Sequence, residues 1–306
     1  MDILTAAALT AACMTLAPLY MGVILKVRAW FGGRQGAGLL LPYRTIIKLL
    51  RKDSVYSHTT TAIFPMGPIA SLCAGALALM FFPVAGREPL ISFTGDFILV
   101  VYGFAAARFF VILAALDTGS SFEGMGASRE AFFSILAEAG LFMAFALLWR
   151  LGGGSSLAAI FTDPSGAGLW AKAAAPLSMI LVALFLIMLT ENSRAPVDDP
   201  STDLELTMIH EVMVLDHGGP DLALIQAGAA LKLFFHSAMI ASLAVPLPEG
   251  APGALAWFIA VAVVFAAVGV AESIMARYKM TMTPQFILTA FALSFGATLI
   301  SLEMGL

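Results

Sequence analysis

Glu130, Ser134 and Glu138 fall within roughly 80° of one another around a helix, so they form a ladder on one face with Glu138 about 12 Å along the axis from Glu130. The surrounding residues are apolar. A carboxylate in such a run is costly to ionise unless paired or hydrated, so it can load and release a proton; the alternative is a fixed hydrogen bond to a neighbouring helix. A second apolar run holds Lys232 and, one turn later, His236. Lys232 would lie near the middle of a bilayer, its charge stabilised by a carboxylate such as Glu138, or neutral and acting as a relay. His236 reads as a hydrogen-bonded packing residue, because no second ligand is spaced for a metal. Arg108 and Glu272 sit in two further apolar runs, Glu272 close enough to an end to snorkel.

A different chemistry is written between residues 191 and 221. Glu191-Asn192-Ser193-Arg194-Ala195-Pro196-Val197-Asp198-Asp199-Pro200 contains two prolines that stop a helix. From Asp203 to Leu215 the apolar Leu204, Met208, Val212 and Leu215 recur at helical spacing, with Glu205 and Glu211 among the other positions. That pattern predicts an amphipathic surface helix. His210-Glu211 is not a zinc-protease motif, since Val214 stands where the second histidine would be, and neither a Walker nor a GxGxxG pattern occurs. Cys13 and Cys73 lie alone in apolar runs, so no metal or redox cofactor is expected in this chain.

These residues need elements that hold them in lipid. Hydrophobic residues make up 60% of the 306 positions and charged ones 12%, which is not the composition of a soluble surface. The sequence reads as a single all-α polytopic membrane domain, 1–306, with about eight transmembrane helices near 3–25, 61–82, 96–116, 130–149, 171–190, 222–245, 254–275 and 284–303. The first is expected to be retained, because no basic stretch precedes it as in a cleavable signal. Lys26, Arg28, Arg34, Arg44, Lys48, Arg51, Lys52, Arg129, Arg194, Arg277 and Lys279 fall on one side, and only Arg87, Arg150 and Lys172 on the other. The positive-inside rule then puts both termini outside and loops 26–60, 117–129, 191–221 and 276–283 in the cytoplasm. A net charge of −4 gives no reason to expect nucleic acid. Outer connections such as Gly152-Gly153-Gly154-Ser155-Ser156 suggest linkage without chemistry, and no transporter-type repeat is visible.

The pattern Glu191-x-x-Arg194-x-Pro196-x-Asp198 followed by Glu205-Leu206 resembles a loop of the NADH dehydrogenase subunit 1 family, the membrane subunit at the junction of the two arms of complex I. Two other stretches agree: Gly33-Arg34-Gln35-Gly36 leading to Pro42-Tyr43-Arg44 and Lys48-Leu49-Leu50, and Leu116-Asp117-Thr118-Gly119-Ser120 leading to Gly126-Ala127-Ser128-Arg129-Glu130. Within the family these stretches are most similar to the membrane subunits of formate hydrogenlyase and related energy-converting nickel–iron hydrogenases. Thr207-Met208-Ile209-His210-Glu211 is similar to the hydrogenase-4 branch, and with Asp199 it departs from the complex I pattern, which points away from quinone.

The resemblance implies a subunit of an oxidoreductase complex in a prokaryotic inner membrane, with iron–sulfur clusters and a nickel–iron centre in partner subunits. Hydrophilic small and large hydrogenase subunits would dock on cytoplasmic residues such as Arg34, Arg44, Lys48, Arg51, Lys52, Asp117 and Arg129. Antiporter-like membrane subunits and lipid would surround the rest. Glu138, Glu191, Glu205 and Glu211 would match the acidic residues linking the docking surface to a proton path, with Glu130, Arg194, Asp198, Asp199, Arg108, Lys232 and Glu272 beside them.

Overall fold

The computed structural model of the chain describes residues 3–162, 167–198, 208–245 and 251–305. Asp199 and Glu205 lie outside the described residues. The helices are α1 (Ile3–Phe31), α2 (Leu41–Leu50), α3 (Ile63–Phe81), α4 (Asp96–Asp117), α5 (Ser121–Gly152), α6 (Leu157–Thr162), α7 (Ala167–Glu191), α8 (His210–Met213), α9 (Gly219–Ala244), α10 (Ala251–Ile274) and α11 (Thr283–Glu303). No strand occurs among the described residues. Eight of these helices (α1, α3, α4, α5, α7, α9, α10 and α11) are long and apolar enough to cross a bilayer, so the chain is an all-α integral membrane protein.

The spans pack where sequence removes bulk. In α9, a Cβ at Gly228 would lie 2.8 Å from the Ser71 backbone, and at Gly75 of α3 it would meet the Leu231 Cβ at 2.7 Å. Those two glycines let α3 and α9 approach closely, and α9 becomes the most enclosed span. Around it α3 also lies along α4, α11 lies against α5 and α7, and α1 against α10. Phe82, Phe145, Phe161, Phe234, Phe235, Phe265 and Trp257 fill the interior. Trp257 donates to the Ser242 hydroxyl at 2.8 Å, and Trp170 to the Leu243 carbonyl at 3.0 Å, so both indoles are satisfied.

Two elements depart from the sequence expectation in ways that matter for the site. Helix α5 starts at Ser121 instead of near 130, because residues 121–129 continue its hydrogen bonding; Arg129 is therefore on a helix, half-buried, and donates to the Met208 carbonyl at 3.0 Å. The second departure concerns the segment after α7. Residues 193–198 are buried within the bundle and do not lie on it as a solvated loop. Irregular backbone at such depth is tolerated because protein surrounds it.

Beyond Asp198 the described part of the acidic connection is a single helical turn, α8. Met208, Ile209, Val212, Met213 and Val214 are buried and Leu215 is exposed. The buried side rests on Gly126 of α5, where an added Cβ would lie 2.2 Å from Val212.

Opposite this face, the Asp96 carboxylate accepts from the Leu157 amide at 2.6 Å and so ties the start of α4 to the short α6.

Candidate functional site

Arg108, near the middle of α4, gathers three carboxylates. Its guanidinium is 2.6 Å from Glu138 and 3.4 Å from Glu130, both on α5, and it pairs with Glu191, the last residue of α7. The two carboxylates of the α5 ladder thus share one arginine, whose guanidinium presents its donors in several directions. Lys232 of α9 reaches Glu191, at 2.8 Å from the carboxylate and 2.6 Å from the carbonyl. Its partner is therefore Glu191, and Glu138 is held by Arg108. The carbonyls of Met188, Leu189 and Thr190 accept from the amides of Asn192, Arg194 and Ser193, and Lys232 takes that of Glu191, where α7 ends. The lysine also lies 5.7 Å from the Phe104 ring, a distance at which the aromatic face attracts a cation.

His236 donates from Nδ1 to the Lys232 carbonyl, 2.8 Å away, and lies against the Phe104 and Phe235 rings, as a packing residue does.

A second ion cluster lies toward the α1 and α10 side. Glu272 has a side chain only 3% exposed and sits 3.2 Å from both Arg28 and Arg194. It does not snorkel. Arg28, expected in a loop, is on the last turns of α1, which runs to Phe31. A third junction closes the base of the acidic connection: Asp198 pairs with Arg277 at 2.7 Å and accepts from the amides of Ile209 and His210 at 3.2 and 3.0 Å. Asp198 thereby holds the entry and exit of that connection together.

Between α1, α2, α4 and α9 lies a cavity of about 340 Å³ whose polar wall includes Arg108, Glu130, Glu191, Arg194, Glu211 and Lys232. Glu211 faces this space. Glu138 stands on the far side of Arg108 with its side chain 25% exposed. The arrangement can accept or release protons from a cavity, pass the change in charge through one arginine, and present it on the other side. Arg34, Arg44, Lys48, Arg51 and Lys52 are exposed, whereas Asp117 is half-buried and accepts from the Thr61 amide and hydroxyl at 2.6 and 3.0 Å.

A model of the family described as NADH dehydrogenase matches residues 4–302. The chain belongs to that family. Among curated members, Formate hydrogenlyase subunit 4 of Escherichia coli K12 is 29% identical over 92% of this chain and 92% of its own length. Hydrogenase-4 component C of the same organism is 30% identical over 86% of this chain and 84% of its own. An archaeal structure, the membrane-bound sulfane sulfur reductase, superposes with a TM-score of 0.83, covering 97% of this chain and 98% of that one at 20% identity, and so shares the fold. The protein is a complex I-like membrane subunit of the NADH dehydrogenase family.

Several buried polar residues of this family member carry no sequence signal that would single them out. Glu123 accepts from the Asp216 amide at 3.0 Å and from the Thr118 hydroxyl, which pins the segment before α9 to α5. His217 stacks on Phe64 at 4.0 Å, with Asp216 and Asp221 nearby. Burial holds the His217 pKa below its usual 6.5, against the opposing pull of Asp221 and Asp216. A lowered histidine pKa means the folded form binds fewer protons, so its contribution is present above about 6.5 and declines as pH falls through and below that value. Hydrogen exchange in residues 214–218, corrected for intrinsic rates, is expected to accelerate on acidification, and His217→Phe should abolish that pH dependence.

Proposed function

We propose that this protein is the coupling membrane subunit of a complex I-like energy-converting hydrogenase of the formate hydrogenlyase type. A hydrophilic arm carrying iron–sulfur clusters and a nickel–iron centre docks on the basic, cytoplasmic face, and antiporter-like membrane subunits move protons or sodium ions. Both termini then lie outside the inner membrane. The observation that carries this reading is the charge count at Arg108. Glu130, Glu138 and Glu191 meet two cations, Arg108 and Lys232, so the fully ionised cluster has one negative charge in excess. A buried cluster with that imbalance is poised to bind a proton, and where the proton sits depends on nearby charge.

The acidic connection supplies the nearby charge. Glu191, Arg194, Asp198 and Glu211 line or anchor it, and docking of the arm over it would shift their potential. Charges in a dry interior act strongly on one another, so a displacement of the connection changes the protonation of Glu138. In proteoliposomes of the whole assembly, Glu138→Gln and Lys232→Ala are expected to lower proton translocation per hydrogen evolved by about tenfold or more while hydrogen evolution persists. Unchanged coupling in both variants would refute the reading.

The apolar part of the cavity favours a second reading, a quinone site, since about 340 Å³ lies at the small end of ligand pockets. Turnover that requires added quinone would decide for it.

A further inference from the structure

The residues between α1 and α3 fold back along α1 and do not project over the basic face. Gly36 meets Ala29, the Leu39 backbone meets Gly22, and the Tyr43 hydroxyl donates to the Thr15 carbonyl. The contact point therefore slides down α1 by roughly 20 Å, from its last turns toward its middle. Gly22 makes the descent possible, for a Cβ there would lie 2.3 Å from the Leu39 carbonyl oxygen. At its other end the chain rises to the start of α9, where Asp53 lies against Gly219. Helix α2 thus runs obliquely at the edge of the membrane-spanning bundle.

Its faces are chemically distinct. Pro42, Thr45 and Ile46 look into the cavity. Arg44, Lys48 and Arg51 fall within roughly 60° of one another on the opposite side, and all three are exposed. They make no ion pair among the described residues. Beside them runs an apolar flank in which Ile47 and Leu50 are about half exposed, at 49% and 52%. Cations in a row beside an apolar flank, on a helix at the level of a spanning segment, match a lipid with an anionic headgroup.

We propose that α2 binds an anionic phospholipid, its phosphate held by Arg44, Lys48 and Arg51 and its acyl chains lying over Ile47 and Leu50. The lysine and arginine stems are long enough to raise their charges to the headgroup level from a helix set into the bilayer edge. This removes three cations from the surface available to the hydrophilic arm and gives them to the membrane. The inference does not depend on the coupling reading, because lipid surrounds the bundle whatever the arm does.

The test is native mass spectrometry of the intact assembly, equilibrated with equal amounts of phosphatidylglycerol and phosphatidylcholine in mild detergent. The natural protein is expected to retain phosphatidylglycerol in preference, and the variant R44Q/K48Q/R51Q to lose that adduct by about tenfold or more while keeping its hydrophilic partners. Equal retention of the two lipids by the natural protein would overturn the proposal, as would loss of the partners with the lipid still bound, which is the outcome if α2 docks the arm. Should the triple variant fail to assemble, Lys48→Gln alone is compared; a weakened phosphatidylglycerol preference there supports the proposal, and an unchanged one overturns it.

Discussion

Arg108→Gln is expected to destabilise the membrane bundle by about 3–5 kcal/mol, the cost of removing one partner from a buried ionic cluster. The residue serves three carboxylates on two helices, and with it gone Glu130, Glu138 and Glu191 are left with Lys232 as the cation that remains in the cluster. The lysine cannot take over, because one positive charge, with two of its three donors held by the carboxylate and carbonyl of Glu191, cannot balance three carboxylates. Two outcomes follow for α5: its carboxylates protonate, or the helix moves away from α4. Unfolding in mixed detergent micelles measures the loss. Adding Glu138→Gln to Arg108→Gln should return part of the stability, since it removes one of the stranded charges, and a departure from additivity of about 0.5–3 kcal/mol is the sign of a shared network. Strict additivity would mean that Arg108 and Glu138 act independently despite their 2.6 Å separation.

Sequence carries much of this architecture because lipid imposes a strong pattern. Apolar runs of bilayer length announce eight helices, and ionisable residues inside such runs are rare enough that Glu130, Glu138, Arg108 and Lys232 stand out. Partner choice is not legible. Lys232 and Glu138 are both deep in their spans, and only the end of α7 at Glu191, followed by buried irregular backbone, shows that the lysine belongs to Glu191. Proline signals mark the break after Glu191, but a break in sequence does not tell whether the chain leaves the membrane or turns within it. Depth is a property of the neighbours. The same gap explains α2: the sequence reads residues 26–60 as a loop, and the helix's descent along α1 depends on the contact of Gly22 with Leu39, residues that no local pattern connects.

Glu272→Gln should act on the Arg108 cluster from a distance. The carboxylate is the shared partner of Arg28 on α1 and Arg194 on the buried segment after α7, so its neutralisation removes the anion that Arg194 pairs with, beside a second guanidinium. Arg194 is the more buried of the two, and it has little access to water in compensation. A loss of about 3–5 kcal/mol is again the expected scale for an uncompensated buried charge, reduced to the extent that Arg28 turns outward. What distinguishes this variant is where the loss appears. Arg194 is three residues beyond Glu191, the last residue of α7, whose carbonyl and carboxylate bind Lys232. Freeing Arg194 should therefore raise hydrogen exchange across residues 192–198, while Arg28→Gln, which leaves the Glu272 to Arg194 pair intact, should leave it nearly unchanged. Equal effects of the two variants on exchange in 192–198 would show that α1, and not the segment after α7, is the element Glu272 holds in place.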